Sequence, residues 1–126
     1  MSDPLSKIYK LRFSGQEEYR NAVWQILVKD FFSKWIKKDS VVLDLGCGYG
    51  EFINNLDDCQ CHAMDLNPDA RKSLNEGIVF HEQDCSEPWS IEPESLDVIF
   101  TSNFFEHLPN KNSLDETIGH AKKALK

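Results

Sequence analysis

The sequence has no apolar run near the roughly 20 residues that a bilayer span needs. It also has no basic-then-apolar leader, since residues 1–10 are polar and mixed. The expected compartment is therefore the cytoplasm. Positive charge is scarce too: 14 Lys and Arg stand against 21 Asp and Glu, for a net charge of −7. The deficit is uneven. Residues 1–38 hold eight basic and four acidic side chains, whereas residues 39–126 hold six against seventeen. A body that acidic lacks the basic face needed for sequence-independent nucleic-acid binding, so nucleic acid is not an expected partner. Cysteine is limited to Cys47, Cys59, Cys61 and Cys85. Cys59-x-Cys61-His62 has no second pair at structural-zinc spacing, so no metal is expected and the thiols read as reduced core residues. There are no repeats, low-complexity tracts or linkers. The 126 residues make one domain, with a flap and helix over 1–38 and a core over 39–126.

Glycine numbers only six, yet three of the six fall at positions 46, 48 and 50. They follow Val41-Val42-Leu43-Asp44-Leu45, a short apolar run that reads as a strand buried on both faces. Glu51-Phe52-Ile53 then opens an apolar helix pattern, and a short helix is expected from Tyr49 to Leu56. Strand, glycine turn and helix in that order make the ligand-binding turn of a Rossmann-like unit. The dinucleotide fingerprint is G-x-G-x-x-G, but the spacing here is G-x-G-x-G and Glu51 stands where the third glycine belongs. A pyrophosphate would be repelled by that carboxylate. Asp44, at the strand's end, suits a ligand with a cationic amine.

Along the chain, Ser14-x-x-Glu17 is a capping box. It opens an amphipathic helix to about Lys38, with Tyr19, Val23, Ile26, Leu27, Phe31, Trp35 and Ile36 on its apolar face and Trp24 and Phe32 widening it. Residues 1–13 read as a flap or a disordered lead. Further strands are expected at Cys59–Asp65, Ile78–Glu82 and Leu96–Ser102. Asn67 and Pro68 cap and start a helix to Asn75. Phe104–Pro109 reads as a short turn or helix. Ser113-x-x-Glu116 is a second capping box, opening a last helix with Leu114, Ile118, Ala121 and Leu125 on one face. Alternating strands and helices imply an α/β fold with a mainly parallel sheet, and place the polar groups Asp44, Asp65, Asp84 and Asn103 at strand C-terminal ends. Asp65 ends the second strand, roughly 20 residues after Gly46, where a carboxylate can accept both hydroxyls of a ribose.

The run Asp44-x-Gly46-x-Gly48-x-Gly50 resembles the first motif of class I S-adenosylmethionine (SAM)-dependent methyltransferases. That resemblance implies a three-layer Rossmann-like sheet, SAM as cofactor and S-adenosylhomocysteine as product. It implies that Cys47 lies in the cofactor turn and that Leu66 and Asn67 flank the adenosine. Gln83-Asp84-Cys85 resembles the family's adenine-binding step, where the acid accepts from the exocyclic amine and the next backbone N–H reaches the ring. Thr101 to Leu108 looks like the S-N-x-x-E-H-L pattern of methyltransferases acting on small molecules and in glycan pathways. His107 is then the candidate general base, since an imidazole can take up and give back a proton, and Glu106 orients it or binds the acceptor.

The family's sheet has seven strands, and four are legible here, which implies a truncated chain with an incomplete acceptor site. A fourth strand with no fifth beside it leaves an open edge, and two such edges imply a homodimer. Two other functions fit the turn: a non-catalytic SAM-binding module and a nicotinamide-dependent oxidoreductase, the latter opposed by Glu51. The methyl acceptor, a small molecule by the resemblance, is not written in these residues.

Overall fold

The computed structural model describes residues 16–126 in full and the backbone of residues 4–15 as the start of a helix. Strand β1 (Val41–Leu45) is the centre of a four-stranded parallel sheet with β2 (Gln60–Asp65), β3 (Val79–Glu82) and β4 (Val98–Phe100) in the order β3-β2-β1-β4. Val42, Leu43 and Leu45 are all but fully buried, as expected of a strand covered on both faces. On one face, Val42 and Ala63 pack beneath helix α1 (Pro4–Asp30) through Val28 and Trp24. On the other, Leu43, Leu45 and Met64 pack with Cys85, Leu96 and the end of helix α2 (Lys111–Ala124). The result is a three-layer Rossmann-like fold preceded by a helix.

Helix α1 corrects two expectations. It runs through Ser14 without a break, so the capping box there does not mark its start. It takes in the flap region from Pro4, while residues 1–3 lie outside the described residues. Its buried face is Trp24, Leu27 and Val28, at the three-to-four spacing of one helix side. Tyr19, Val23, Ile26, Phe31 and Trp35 are exposed instead, Tyr19 at 73% and Ile26 at 62%. The apolar pattern of the sequence merges two stripes that lie on different sides of the helix. Trp24, Phe32, Phe52 and Phe100 form the aromatic cluster that fixes α1 to the sheet, with the Phe52 and Phe100 rings stacked 3.7 Å apart.

Strands β2 and β3 each begin one residue later than expected. More telling is β4, which keeps only three of the seven residues assigned to it. Side chains add to the ladder at both its ends, beside the backbone bond from the Asp97 N–H to the Val41 carbonyl at 2.8 Å. The Asp97 carboxylate accepts the Val41 N–H at 2.8 Å, and the Thr101 hydroxyl donates to the Leu45 carbonyl at 2.9 Å. The segment after the turn holds only a 3-10 turn, Ile53–Asn55, in place of the helix over 49–56. Asn67 and Pro68 do cap and start an element as expected, but it is a 3-10 helix, Pro68–Ser73. Asn110 caps α2 by accepting the Ser113 N–H at 2.8 Å, so Ser113 is the third helical residue and not the cap.

Beyond α2 the chain returns to β4. Leu125 pairs in parallel with Leu96, and the Lys126 N–H reaches the Leu96 carbonyl at 3.0 Å. Among the described residues, Val98–Phe100 keeps an outer edge without a strand beside it. No helix among them is long and apolar enough to cross a membrane. Among them, too, no group of three His, Cys, Asp or Glu side chains could hold a metal. Cys47 and Cys85 are buried, whereas Cys59 and Cys61 are only half-buried.

Candidate functional site

The turn after β1 is pinned to β2 from beneath. The N–H groups of Gly46 and Cys47 both donate to the Met64 carbonyl, at 2.8 and 3.2 Å. Gly46 takes φ +71°, and a Cβ there would run into the Phe104 ring, so only glycine fits. Gly48 also takes a positive φ, +53°, but a Cβ there would meet nothing within 4 Å. The Gly48 N–H donates to Asp65 at 3.0 Å, and the other oxygen of that carboxylate accepts the Asn67 N–H at 2.9 Å. Asp65 thus ties the turn to the end of β2, and each oxygen retains a lone pair for a ligand hydroxyl.

Gly48 and Tyr49 form a ridge between two hollows. The larger, of about 360 Å³, has Asp44, Gly46 and Cys47 at its base, Ser102 and Asn103 from the end of β4, and Arg20 and Trp24 from α1. The smaller, of about 120 Å³, is bounded by Asp65, Asn67, Asp69 and Ala70. Asn103 also takes a left-handed backbone, φ +53°, a conformation that asparagine tolerates better than most residues.

The electrostatics of the base are unusual. Asp44 is 4% exposed. Burial pushes its pKa up to about 7, against a hydrogen bond from the Ile53 amide that lowers it, and the nearby Asp65 adds a smaller upward push. Burial, with Asp44 and Asp65 close by, pushes the Cys47 thiol up to about 12, which removes it as a nucleophile.

The structure brings Asp44, Gly46, Cys47, Gly48 and Asn103 together in one hollow, and Asp65 and Asn67 in the other. The remaining sequence candidates line neither. Gly50 packs on Leu74 and Asn54. Leu66 is exposed. Asp84 is held by the N–H and hydroxyl of Ser86, which keep its carboxyl below the ordinary range. The Cys85 thiol faces Thr117 on the far side of the sheet, 3.3 Å away. Glu106 and His107 sit on an exposed turn 3.8 Å apart, their side chains 62% and 72% exposed. Sequence reasoning missed Arg20 and assigned no contact to Glu51. Arg20 lies one turn before Trp24 on the same side of α1, which is the signal that could have found it.

The sequence model of a family described as "Methyltransferase domain" matches residues 16–126. No curated protein matches the sequence. Among solved structures, a SAM-dependent methyltransferase from Archaeoglobus fulgidus aligns at 26% identity and a TM-score of 0.68, over 91% of this chain and 53% of its own. A candidate S-adenosyl-L-methionine-dependent methyltransferase from Methanococcus maripaludis gives 16% and 0.71, over 100% and 62%. Phosphoethanolamine N-methyltransferase 1 of Haemonchus contortus, in complex with phosphoethanolamine and S-adenosylhomocysteine, gives 19% and 0.70, over 86% and 24%. This chain therefore spans less than two thirds of the length of each.

Proposed function

The chain belongs to the methyltransferase-domain family, and from that premise we propose that it binds SAM across the Gly48 ridge and serves methyl transfer to a small-molecule or glycan-pathway acceptor. One observation carries the reading: a glycine turn with open space at Gly48, a buried carboxylate on one side of it and a strand-end carboxylate on the other. These residues fit the cofactor. Asp44 suits its ammonium group, Asp65 its ribose hydroxyls, and the absent Gly48 side chain leaves room for the chain between them. Leu66, Asn67 and the Asp84–Cys85 step would border the adenosine. When bound, the cofactor supplies a sulfonium methyl group for in-line displacement. The protein's part is to align the two reactants and exclude water. His107 is the proposed base and Glu106 its neighbour, acting on an acceptor that lies over the rim near Asn103.

A second reading is a SAM-binding module without turnover by this chain. The exposure of Glu106 and His107 favours it. Conversion of SAM to S-adenosylhomocysteine with an acceptor separates the two. The nicotinamide reading is opposed by Glu51, which stands at the place of a third glycine with its side chain mostly covered and faces Arg20.

S-adenosylhomocysteine at a hundred times its dissociation constant should stabilise the fold by about 2.7 kcal/mol and raise the melting temperature by several degrees. A shift with NAD and none with millimolar S-adenosylhomocysteine would overturn the assignment. Asp65→Ala should weaken that binding by on the order of 2–3 kcal/mol, since a charged acceptor is lost to the ligand and to the turn. Cys59→Ala, beside Lys37 and remote from both hollows, should leave affinity unchanged. Calorimetry giving wild type and Asp65→Ala equal affinity would remove Asp65 from the site.

The outer edge of Val98–Phe100 also supports pairing of two copies through their fourth strands. Light scattering should show self-association at high micromolar concentration. A well-folded monomer there would show that the Leu96–Leu125 pairing and its surroundings are enough to close the edge.

A further inference from the structure

Strands β2 and β3 are joined by a chain of side-chain hydrogen bonds that the roles assigned so far do not use. His62 and His81 lie on the same face of the sheet, since Met64 pairs with His81 and stands two residues after His62. His62 Nδ1 is 3.0 Å from His81 Nε2. The ring centroids are 5.3 Å apart and the planes are tilted by 19°. That separation matches the nitrogen contact plus the two ring radii, so the rings lie nearly in line and one N–H points straight at the other nitrogen. A metal held by both nitrogens would need them to converge on a point off that line, so the contact is a hydrogen bond. On its other side His81 Nδ1 is 2.9 Å from the Ser90 hydroxyl. Ser90 closes the connection that carries Asp84 and Cys85. The Gln83 amide gathers that connection, donating to the Asp84 and Pro88 carbonyls at 3.2 Å and accepting the Ser90 N–H at 3.2 Å. Strand β3 is the outer strand, so the chain from His62 through His81 to Ser90 ties this connection to the sheet.

The bond between the rings needs one proton and has no room for two. A single imidazolium makes it charge-assisted and it holds. With both rings charged, two donors face each other and the contact breaks. Burial holds both rings below the ordinary value of 6.5, and at His81 the charge of His62 pushes the same way. Among the described residues no carboxylate forms an ion pair with either ring. Asp65 and Glu82 alternate to the opposite face. On the connection, Asp84 is engaged by Ser86 and Glu87 is exposed. From α2, His120 and Lys123 stand beside Trp89. His120 Nε2 donates to the Ser86 carbonyl at 3.1 Å, a bond that a further proton leaves intact. Since the folded rings bind protons less readily than open ones, the tie is present above the ordinary value and is lost as pH falls through the folded values.

We infer that the His62–His81 pair positions the adenosine end of the donor, by holding Ser90 and with it the Asp84–Cys85 step, and releases that end in acid when both rings are protonated. This inference rests on the donor reading above. His62 and His81 act through Ser90 and are positioning residues, not ligand contacts.

The probe is 5′-methylthioadenosine, which has the adenosine end and no ammonium group, so Asp44 takes no part in holding it. The whole chain is titrated by calorimetry at about pH 7.5 and about pH 5, on either side of the ordinary imidazole value. Melting curves first establish that each variant folds at both. Wild-type affinity should fall at least about fivefold in acid, the low end of coupling between two sites. Ser90→Ala, an exposed change that severs the tie, should lower affinity at the higher pH and flatten the profile. His62→Asn keeps a polar atom near the place of Nδ1 and takes up no proton, so it should hold its affinity at both pH values. His62→Ala should be as weak at the higher pH as wild type is in acid. A flat wild-type profile, an acid fall kept in full by Ser90→Ala or His62→Asn, or wild-type affinity in His62→Ala would overturn the inference and leave the donor reading standing. So would binding of S-adenosylhomocysteine with none of methylthioadenosine at either pH. Wild type that binds neither ligand would overturn the donor reading and this inference with it.

Discussion

In Gly48→Val, affinity for S-adenosylhomocysteine should fall roughly a hundredfold while the protein still folds. The two effects separate because of where the new side chain would go. A Cβ at Gly48 meets nothing within 4 Å, so no core packing is disturbed. The fold bears only the cost of a branched residue at φ +53°, about 1–2 kcal/mol. The ligand bears the rest. The side chain stands on the ridge between the two hollows, where the proposed donor must cross, and overpacking of about 3 kcal/mol there lowers affinity roughly a hundredfold. Gly46→Val is the contrast. Its side chain would meet the Phe104 ring, so stability itself should fall. Calorimetry on folded Gly48→Val that returned wild-type affinity would mean that the ridge does not touch the ligand.

Asp44 gives the second large effect, on pH dependence. Its carboxyl holds a proton up to about pH 7 in the folded chain, whereas the ordinary value is 3.8. Within that window the native state binds the extra proton. Its contribution to stability is therefore full below the window and is lost as pH rises through it. Between pH 5 and 8 the loss should amount to roughly 2–3 kcal/mol. Asparagine at this position has no proton to lose, so Asp44→Asn should show a shallower fall over the same range. Urea unfolding at the two pH values reads the difference between the two proteins, which cancels the other titrating groups. Parallel pH profiles would show that Asp44 is ionised throughout. The ligand acts in the opposite sense. An ammonium group beside Asp44 favours the charged carboxylate, so donor binding should release protons near pH 6 and tighten as pH rises.

Strand β1 was legible to the residue because a short, β-branched apolar run between polar flanks admits little else. The turn was legible because positive φ and close approach both demand glycine. Strand β4 was not, because the side chains of Asp97 and Thr101 bond neighbouring backbone groups at its ends, and an apolar run does not reveal that. The outward stripe of α1 misled for a related reason. Tyr19, Val23 and Ile26 have the same spacing as a core face, and only the partners of Trp24 decide which stripe is covered. Arg20 and Glu51 lie far apart in the chain, so their pairing exists only once α1 has docked. Asp44 and Asp65 stood out because strand ends adjoining a glycine turn are few. Side-chain surroundings, such as Phe104 over Gly46, had no local signature at all.

The register of the sheet also bears on the order of assembly. Val42 pairs with Cys61 on one side and with Val98 on the other, and the second pairing closes a loop roughly three times as long as the first. Closing the longer loop costs about 1 kcal/mol more in chain entropy. The β1–β2–β3 half should therefore come together first and wait for β4 to dock on its exposed flank. Until it does, Phe100, Ser102 and Asn103 are missing from one wall of the larger hollow, and Phe104 does not cover Gly46. The ligand cleft is then the last part of the molecule to form, and a bound ligand acts as a latch on that final step, slowing the release of β4 more than the opening of any other strand.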